Sequence, residues 1–223
     1  MMVNLFSIFD PSTKFMLSSN WLSVIFFFFF LPIQLWMAPP RIKQIFFFLF
    51  KYLFKEFKPL VKKTPFILIL SLSIFIFIAI NNIMGLLPYV FTPSSHMAFT
   101  LPLALSLWLS TFIYAWMNNT NNSLTHLIPQ GTPFILMPFM VIIETISSLI
   151  RPGTLAIRLA ANMIAGHLLM VLLSSSFLIS PMSALPLLYL SQGLLSILEL
   201  AVAFIQAYVF SILLTLYAAE SIN

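Results

Sequence analysis

Beyond Lys63, and short of the acidic residue near the C-terminus, four side chains carry charge: Glu144, Arg151, Arg158 and Glu199. Charges this sparse cannot cover a water-facing surface. Charged residues make up 7% of the chain and hydrophobic residues 61%, whereas a soluble globular domain carries roughly 25% charged residues. The chain is therefore expected to be an all-α integral membrane protein. Its 223 residues suit one bundle, a single membrane domain over 1–223, rather than several domains.

The formal net charge of +5 is local, because seven of the ten Lys and Arg residues lie between Arg41 and Lys63. A basic block beside an apolar span more often sets membrane orientation than binds nucleic acid, so no nucleic-acid partner is expected. There are no cysteines, which excludes disulfides, zinc–thiolate sites and iron–sulfur clusters. No cleavable targeting sequence is expected, since the first twenty residues hold one Lys and one Asp, unlike an Arg-rich transit peptide. Phe is abundant, with 25 residues and five in a row at Phe26 to Phe30. That bias fits T-rich coding in a tolerant lipid-facing setting, not a ligand motif.

The apolar stretches set the spans. Residues 15–40 hold no Asp, Glu, Lys or Arg, and Trp21 to Ala38 is expected to be a first transmembrane helix with Trp21 and Trp36 as interfacial anchors. Over 41–63, Lys51, Lys55, Lys58 and Lys62 fall on one helical face beside Phe50, Leu53, Phe54, Phe57 and Val61. This predicts an amphipathic helix on the membrane surface, with a solvated lysine-bearing loop as the alternative, and Pro59 able to end it early. Further transmembrane helices are expected over 66–91 and 99–117, the second followed by a polar loop. Two long stretches, 134–178 and 184–219, close the chain. A continuous helix of that length would measure roughly 63 Å against a hydrocarbon core of ~30 Å. The two are expected to form a long tilted hairpin, kinked at Pro152-Gly153 in the first arm. The total is about five membrane-embedded helices plus the surface helix. Positive residues stay on the synthesis side, so the basic helix and C-terminus face one side and the N-terminus the other.

A charge at the bilayer centre costs ~2.5–3.5 kcal/mol on insertion scales, so the four isolated charges are functional candidates. Glu144, Arg151 and Arg158 are seven residues apart, nearly two full helical turns each, so they share a face if the Pro152 bend is modest. Ala161, Asn162, Ala165 and Leu169 fall near that face, and small neighbours let another helix approach Arg158 closely. Gln192, Glu199 and Gln206 repeat the spacing on the next stretch, with Ser196 and Ala203 alongside. His167 projects about 180° from Arg158 on an ideal helix. It reads either as a hydrogen-bonded structural residue or as a proton relay with Glu199 as partner. For the whole set the alternative is purely structural, with Glu144 and Glu199 neutralising Arg151 and Arg158, against which stands the desolvation cost of buried ion pairs. There is no phosphate loop, nucleophile elbow or metal-spaced His pair, so no catalytic residue, cofactor or metal is expected. A multi-span channel or transporter subunit of another kind remains an alternative, though such proteins show paired repeats that this chain lacks.

Two motifs carry a resemblance. "RPGTLAIRLAANMIAGH", residues 151–167, and "ELAVAFIQAYVFSILLTLY", residues 199–217, closely resemble subunit a of the F-type ATP synthase. "HLIPQGTPFILMPFMVIIETIS" and "NLFSIFDPS" look like the mitochondrial form of insects and related animals. The resemblance implies a stator subunit that passes protons to and from a rotating c-ring by two offset half-channels. It implies that Arg158 is the family's essential arginine and Gln206 the glutamine opposite it. It likewise implies that Glu199 and His167 belong to the inlet, Glu144 to the outlet, and that Asn162 is the asparagine one turn past the arginine. Arg151, Gln192 and Ser196 would be supporting polar residues. Bacterial relatives exchange the two inlet residues, with an acid where this chain has His167 and a histidine where it has Glu199. The implied partners are the c-ring, the peripheral stalk, other membrane-sector subunits, protons and the lipid bilayer. The implied location is the mitochondrial inner membrane, with the N-terminus toward the intermembrane space and the basic helix and C-terminus toward the matrix.

Overall fold

A computed structural model describes residues 5–13, 18–26, 40–61, 65–118, 120–128, 133–177 and 180–222, and among these the regular structure is entirely helical. Six α-helices follow one another: α1 (Arg41–Phe57), α2 (Pro65–Gly85), α3 (Met97–Asn118), α4 (Thr120–His126), α5 (Met137–Ser176) and α6 (Leu185–Ile222). Short 3₁₀ helices lie at Leu5–Phe9, Ser19–Phe26, Pro93–Ser95, Phe134–Leu136 and Met182–Ala184. Four helical stretches among the described residues are long and apolar enough to cross a membrane: Phe66–Gly85, Met97–Asn118, Phe134–Ser176 and Met182–Ala219. The helix expected over Trp21 to Ala38 lies mostly outside the described residues, as do Trp36, Lys62 and Lys63. Its described beginning is the 3₁₀ helix Ser19–Phe26.

Three boundaries differ from the apolar pattern, each for a local reason. The segment expected over 66–91 stops being helical at Gly85, and the chain then turns through Pro88 and Tyr89, whose φ of 67° is left-handed. A run of apolar residues says nothing about where the backbone can reverse, but Gly and Pro do. The basic helix is helical to Phe57 and closes in a turn at Lys58–Leu60, where Pro59 removes a donor. The polar stretch after Asn118 contains the short helix Thr120–His126 where a loop is expected. In contrast, α5 stays helical through Pro152 and Gly153. Pro152 cannot donate to the carbonyl four residues back, and its ring is buried among Ala104, Leu107, Trp108 and Phe210. Tertiary packing holds the helix together across the weak point.

The bundle pairs α2 with α6 and α3 with α5, while α5–α6 and α3–α6 contacts close it. Leu68, Leu72, Phe75, Ile76, Ile78 and Ala79 of α2 form the core with Leu155, Ala156 and Leu159 of α5 and Ala207, Phe210 and Ala218 of α6. Ala203, Ala207 and Ala218 are fully buried; their small side chains let helices approach where no hydrophobic drive from lipid assists. Asn82 Nδ2 donates to the Ala203 carbonyl at 3.4 Å, a polar tie between α2 and α6. Helix α1 docks on this core by Leu53, Phe57 and Val61 and leaves Lys51, Lys55 and Lys58 exposed. Phe57 stacks on Tyr208 of α6, whose hydroxyl donates to Glu56 at 2.9 Å.

Candidate functional site

Helices α5 and α6 each contribute a polar side chain to one shallow groove. Arg158 and Gln206 meet there, flanked by Leu155, Leu159, Val209 and Phe210. Leu155 and Leu159 are buried, whereas Arg158 is exposed on the outer side of the hairpin, with Ile157 and Ile205 exposed nearby. Among the described residues nothing pairs with the guanidinium. A permanent cation on an oily exterior is unfavourable unless an anion or polar surface comes to meet it. Neither Glu144 nor Glu199 pairs with it, so the structural neutralisation by these two does not hold for Arg158.

A second station lies on the side toward the Gly85 end of α2. Glu199 and His167 line a cavity of about 340 Å³ together with Leu86, Asn162, Met163, Gly166 and Val202. Glu199 is 8% exposed and its Oε1 has no partner, and neither has the buried His167 Nε2. The two groups share a space without a direct hydrogen bond. Phe9 closes over His167, ring edge to ring face at 6.3 Å. Carboxylate and imidazole are the side chains most used to hand protons on.

The groove and the cavity divide α5 differently from an ideal-wheel reading. Asn162, Ala165 and Leu169, expected beside Arg158, line the cavity with His167. Asn162 and His167 are separated by about 140° around the helix, so one cavity must span a wide arc. Gly166 sits in the middle of that arc and makes it possible. A Cβ there would lie 3.2 Å from both Cδ and Oε1 of Glu199, so the missing side chain is the seat of the carboxylate. At Gly153 an added Cβ would meet nothing within 4 Å. Gly166→Ala is therefore expected to leave the detergent-solubilised chain about 1–3 kcal/mol less stable than Gly153→Ala does, the cost of pressing on the Glu199 carboxylate. Gly153→Ala is expected to be neutral or up to ~1 kcal/mol stabilising, from helix propensity. Thermal unfolding of the two variants side by side checks the contrast; equal effects would sink the assignment of Gly166 as the carboxylate's seat.

The third station is at the other end of the hairpin. Arg151 Nη2 lies 3.5 Å from Glu144 Oε1, and its guanidinium stacks 5.1 Å from the Tyr217 ring centre. They line a cavity of about 470 Å³ with Trp108, Phe112, Thr145 and Ser148. The remaining polar candidates stand apart. Ser196 donates to the Gly193 carbonyl at 2.8 Å, and Gln192 is half-buried outside all of these cavities.

Sequence reasoning missed Gly166, Tyr217 and Phe9. A glycine beside a histidine inside a long helix was a usable signal for the first. Nothing local marks Tyr217 or Phe9, which come into place only through the fold.

Comparison with known proteins matches residues 15–219 to the ATP synthase A chain family. ATP synthase subunit a of Locusta migratoria is 53% identical over 223 residues, covering 99% of both chains. The corresponding subunits of Anopheles gambiae and Drosophila simulans are each 50% identical, again over 99% of both chains.

Proposed function

Because this chain belongs to the ATP synthase A chain family, we propose that its Arg158 separates two proton half-channels, an inlet through Glu199 and His167 and an outlet past Glu144. The chain is a proton-translocating stator subunit of the synthase membrane sector and a multi-pass protein of the mitochondrial inner membrane. As such it assembles with the c-ring and other membrane-sector subunits. The reading adds that the N-terminus faces the intermembrane space, that the basic helix and C-terminus face the matrix, and that the surface helix meets neighbouring stator subunits. It also takes α5 and α6, of 40 and 38 residues, as lying steeply tilted across a core of ~30 Å.

The observation that carries it is Arg158, exposed beside Gln206 on an apolar outer face and lying along α5 between the two polar cavities. A ring carboxylate must cross lipid neutral, because an ionised carboxylate there is costly. Protons reach it through the Asn162–His167–Glu199 cavity. When the ring brings a protonated carboxyl to Arg158, the fixed positive charge favours the carboxylate, and the proton is released toward the Glu144 side. Arginine holds its own protons, so it carries no leak between the cavities. Gln206 offers amide groups to the same arriving carboxylate. Each proton crossing gains ~2.3 kcal/mol per 100 mV, so several crossings must be summed by rotation for each ATP.

Cross-linking tests the geometry. Ala161 is exposed near Arg158 on the same helix, and Leu187 is 73% exposed at the far start of α6. In assembled membranes, Ala161→Cys is expected to form a disulfide with a cysteine set beside the ring carboxylate, and Leu187→Cys is not. No cross-link from position 161 in an intact complex, or equal yield from both, would show that Arg158 does not face the ring.

A further inference from the structure

Six buried polar atoms lack a hydrogen-bond partner among the described residues: Ser23 Oγ, Asn82 Oδ1, Ser94 Oγ, His96 Nε2, His167 Nε2 and Glu199 Oε1. They are not scattered. All lie toward the Gly85 end of α2, away from the docked helix α1. Fully buried hydroxyls elsewhere are satisfied within their own helices: Ser71 donates to Leu68 O at 3.0 Å, Ser211 to Tyr208 O at 2.9 Å and Thr215 to Ile212 O at 2.7 Å. Native interiors leave few such atoms unpaired, and a cluster of them in polar surroundings is a place for bound water.

Three of the six, Ser23, Ser94 and His96, play no part in the half-channels proposed above. Ser94 is fully buried and Ser23 is 8% exposed. The 3₁₀ helices that carry them, Ser19–Phe26 and Pro93–Ser95, pack on one another. His96 is walled by Trp21 at 5.5 Å and Phe91 at 5.1 Å, and Trp21 meets Phe91 at 5.7 Å. Neighbouring Thr92 and Ser95 are bonded to each other at 3.0 Å, so they are already satisfied. The link Pro93–Ser95 also packs on α5. Where they meet, a Cβ on Gly85 would come 2.9 Å from Thr92 Cγ2 and 3.8 Å from Met163 Cε. Met163 and Leu86 are in turn walls of the Glu199–His167 cavity.

We propose that Ser23, Ser94 and His96 hold a short file of water molecules that feeds protons into the Glu199–His167 cavity. Each water accepts one proton on one side and releases one on the other, so a proton lost by outside water arrives in the cavity with no net change along the file. The hydroxyls and the imidazole orient the file, and the Trp21–Phe91 box keeps lipid out of it. The proposal rests on the inlet reading, and its test separates the two.

The chain has no cysteine, so single thiols report cleanly. Ser94→Cys, Ser23→Cys, Val202→Cys and Ser71→Cys are compared in membranes carrying the assembled complex. Aqueous Ag⁺ is added, and the fraction of this chain that keeps a free thiol is measured over time. Val202 lines the inlet cavity, while Ser71 is fully buried in the apolar core. Ser94→Cys and Ser23→Cys are expected to react at least about ten-fold faster than Ser71→Cys, which must wait for local opening. If Val202→Cys reacts quickly while both serine positions are as slow as Ser71→Cys, the file is wrong and the inlet cavity stands. If Val202→Cys is also slow, the inlet reading falls and takes the file with it.

Discussion

Arg158→Ala is expected to lower proton-driven ATP synthesis by about two orders of magnitude in complexes that still assemble. The figure takes the ~2.5–3.5 kcal/mol cost of a ring carboxylate left ionised at mid-membrane without the counter-charge that Arg158 supplies, at 1.36 kcal/mol for each factor of ten. Without the cation a ring carboxyl has no reason to ionise as it passes, so its proton stays and the ring turns without delivering it. Removal also takes away the barrier between the cavities, so passive proton flow across the membrane sector should rise. Arg158→Lys is the sharper variant. It keeps the charge but replaces a planar, two-pronged group that stays protonated by a compact one that loses its proton more readily when buried. The lysine variant is expected to fall between alanine and the parent chain. Synthesis within a factor of about two of the parent in the alanine variant would be incompatible with the half-channel reading at this cost of charge.

Glu199→Gln is expected to slow proton uptake about a hundred-fold, at the lower end of what a positioned acid or base contributes. Shape and hydrogen-bonding capacity are kept, so native-gel mobility and the amount of assembled complex should not change. The measurement is the initial rate of acidification-driven synthesis against the amount of assembled complex. Glu199 is buried with Oε1 unpartnered over Gly166, which makes it a poor structural brace and a ready acceptor. Collapse of assembly in Glu199→Gln would instead make the carboxylate a structural residue. A normal rate would leave His167 and Asn162 as the groups that matter in that cavity.

The outline of this architecture could be read from the sequence because membrane helices leave a direct signature, an apolar run bounded by charge. The amphipathic spacing of Lys51, Lys55 and Lys58 gave the outward face of α1 in the same way, since an interface sorts side chains by period. What failed was local. The apolar run from Phe66 overran Gly85, because hydropathy cannot see a left-handed Tyr89 reversing the chain. The ideal wheel set Asn162 and His167 well apart, and it could not show that the opening at Gly166 lets one cavity reach both. The pairing of Arg151 with Tyr217, 66 positions later, depends on how two long helices lie across each other. No spacing rule reports that. The charged candidates could be picked out one by one, but which of them share a cavity could not.

The docking of α1 has a mechanical side. Phe57 stacks on Tyr208, and the Tyr208 hydroxyl holds Glu56, only two residues along α6 from Gln206. A rotating ring drags sideways on whatever faces it, and every ångström the stator yields stores free energy in bending rather than in turning. If α1 lies along the membrane surface, as its lysine face implies, it resists such drag across its whole length, as a spar resists the sway of a mast. On the function proposed above, this anchor so near Gln206 would stiffen α6 close to the ring contact and leave recoil to the outer parts of the hairpin.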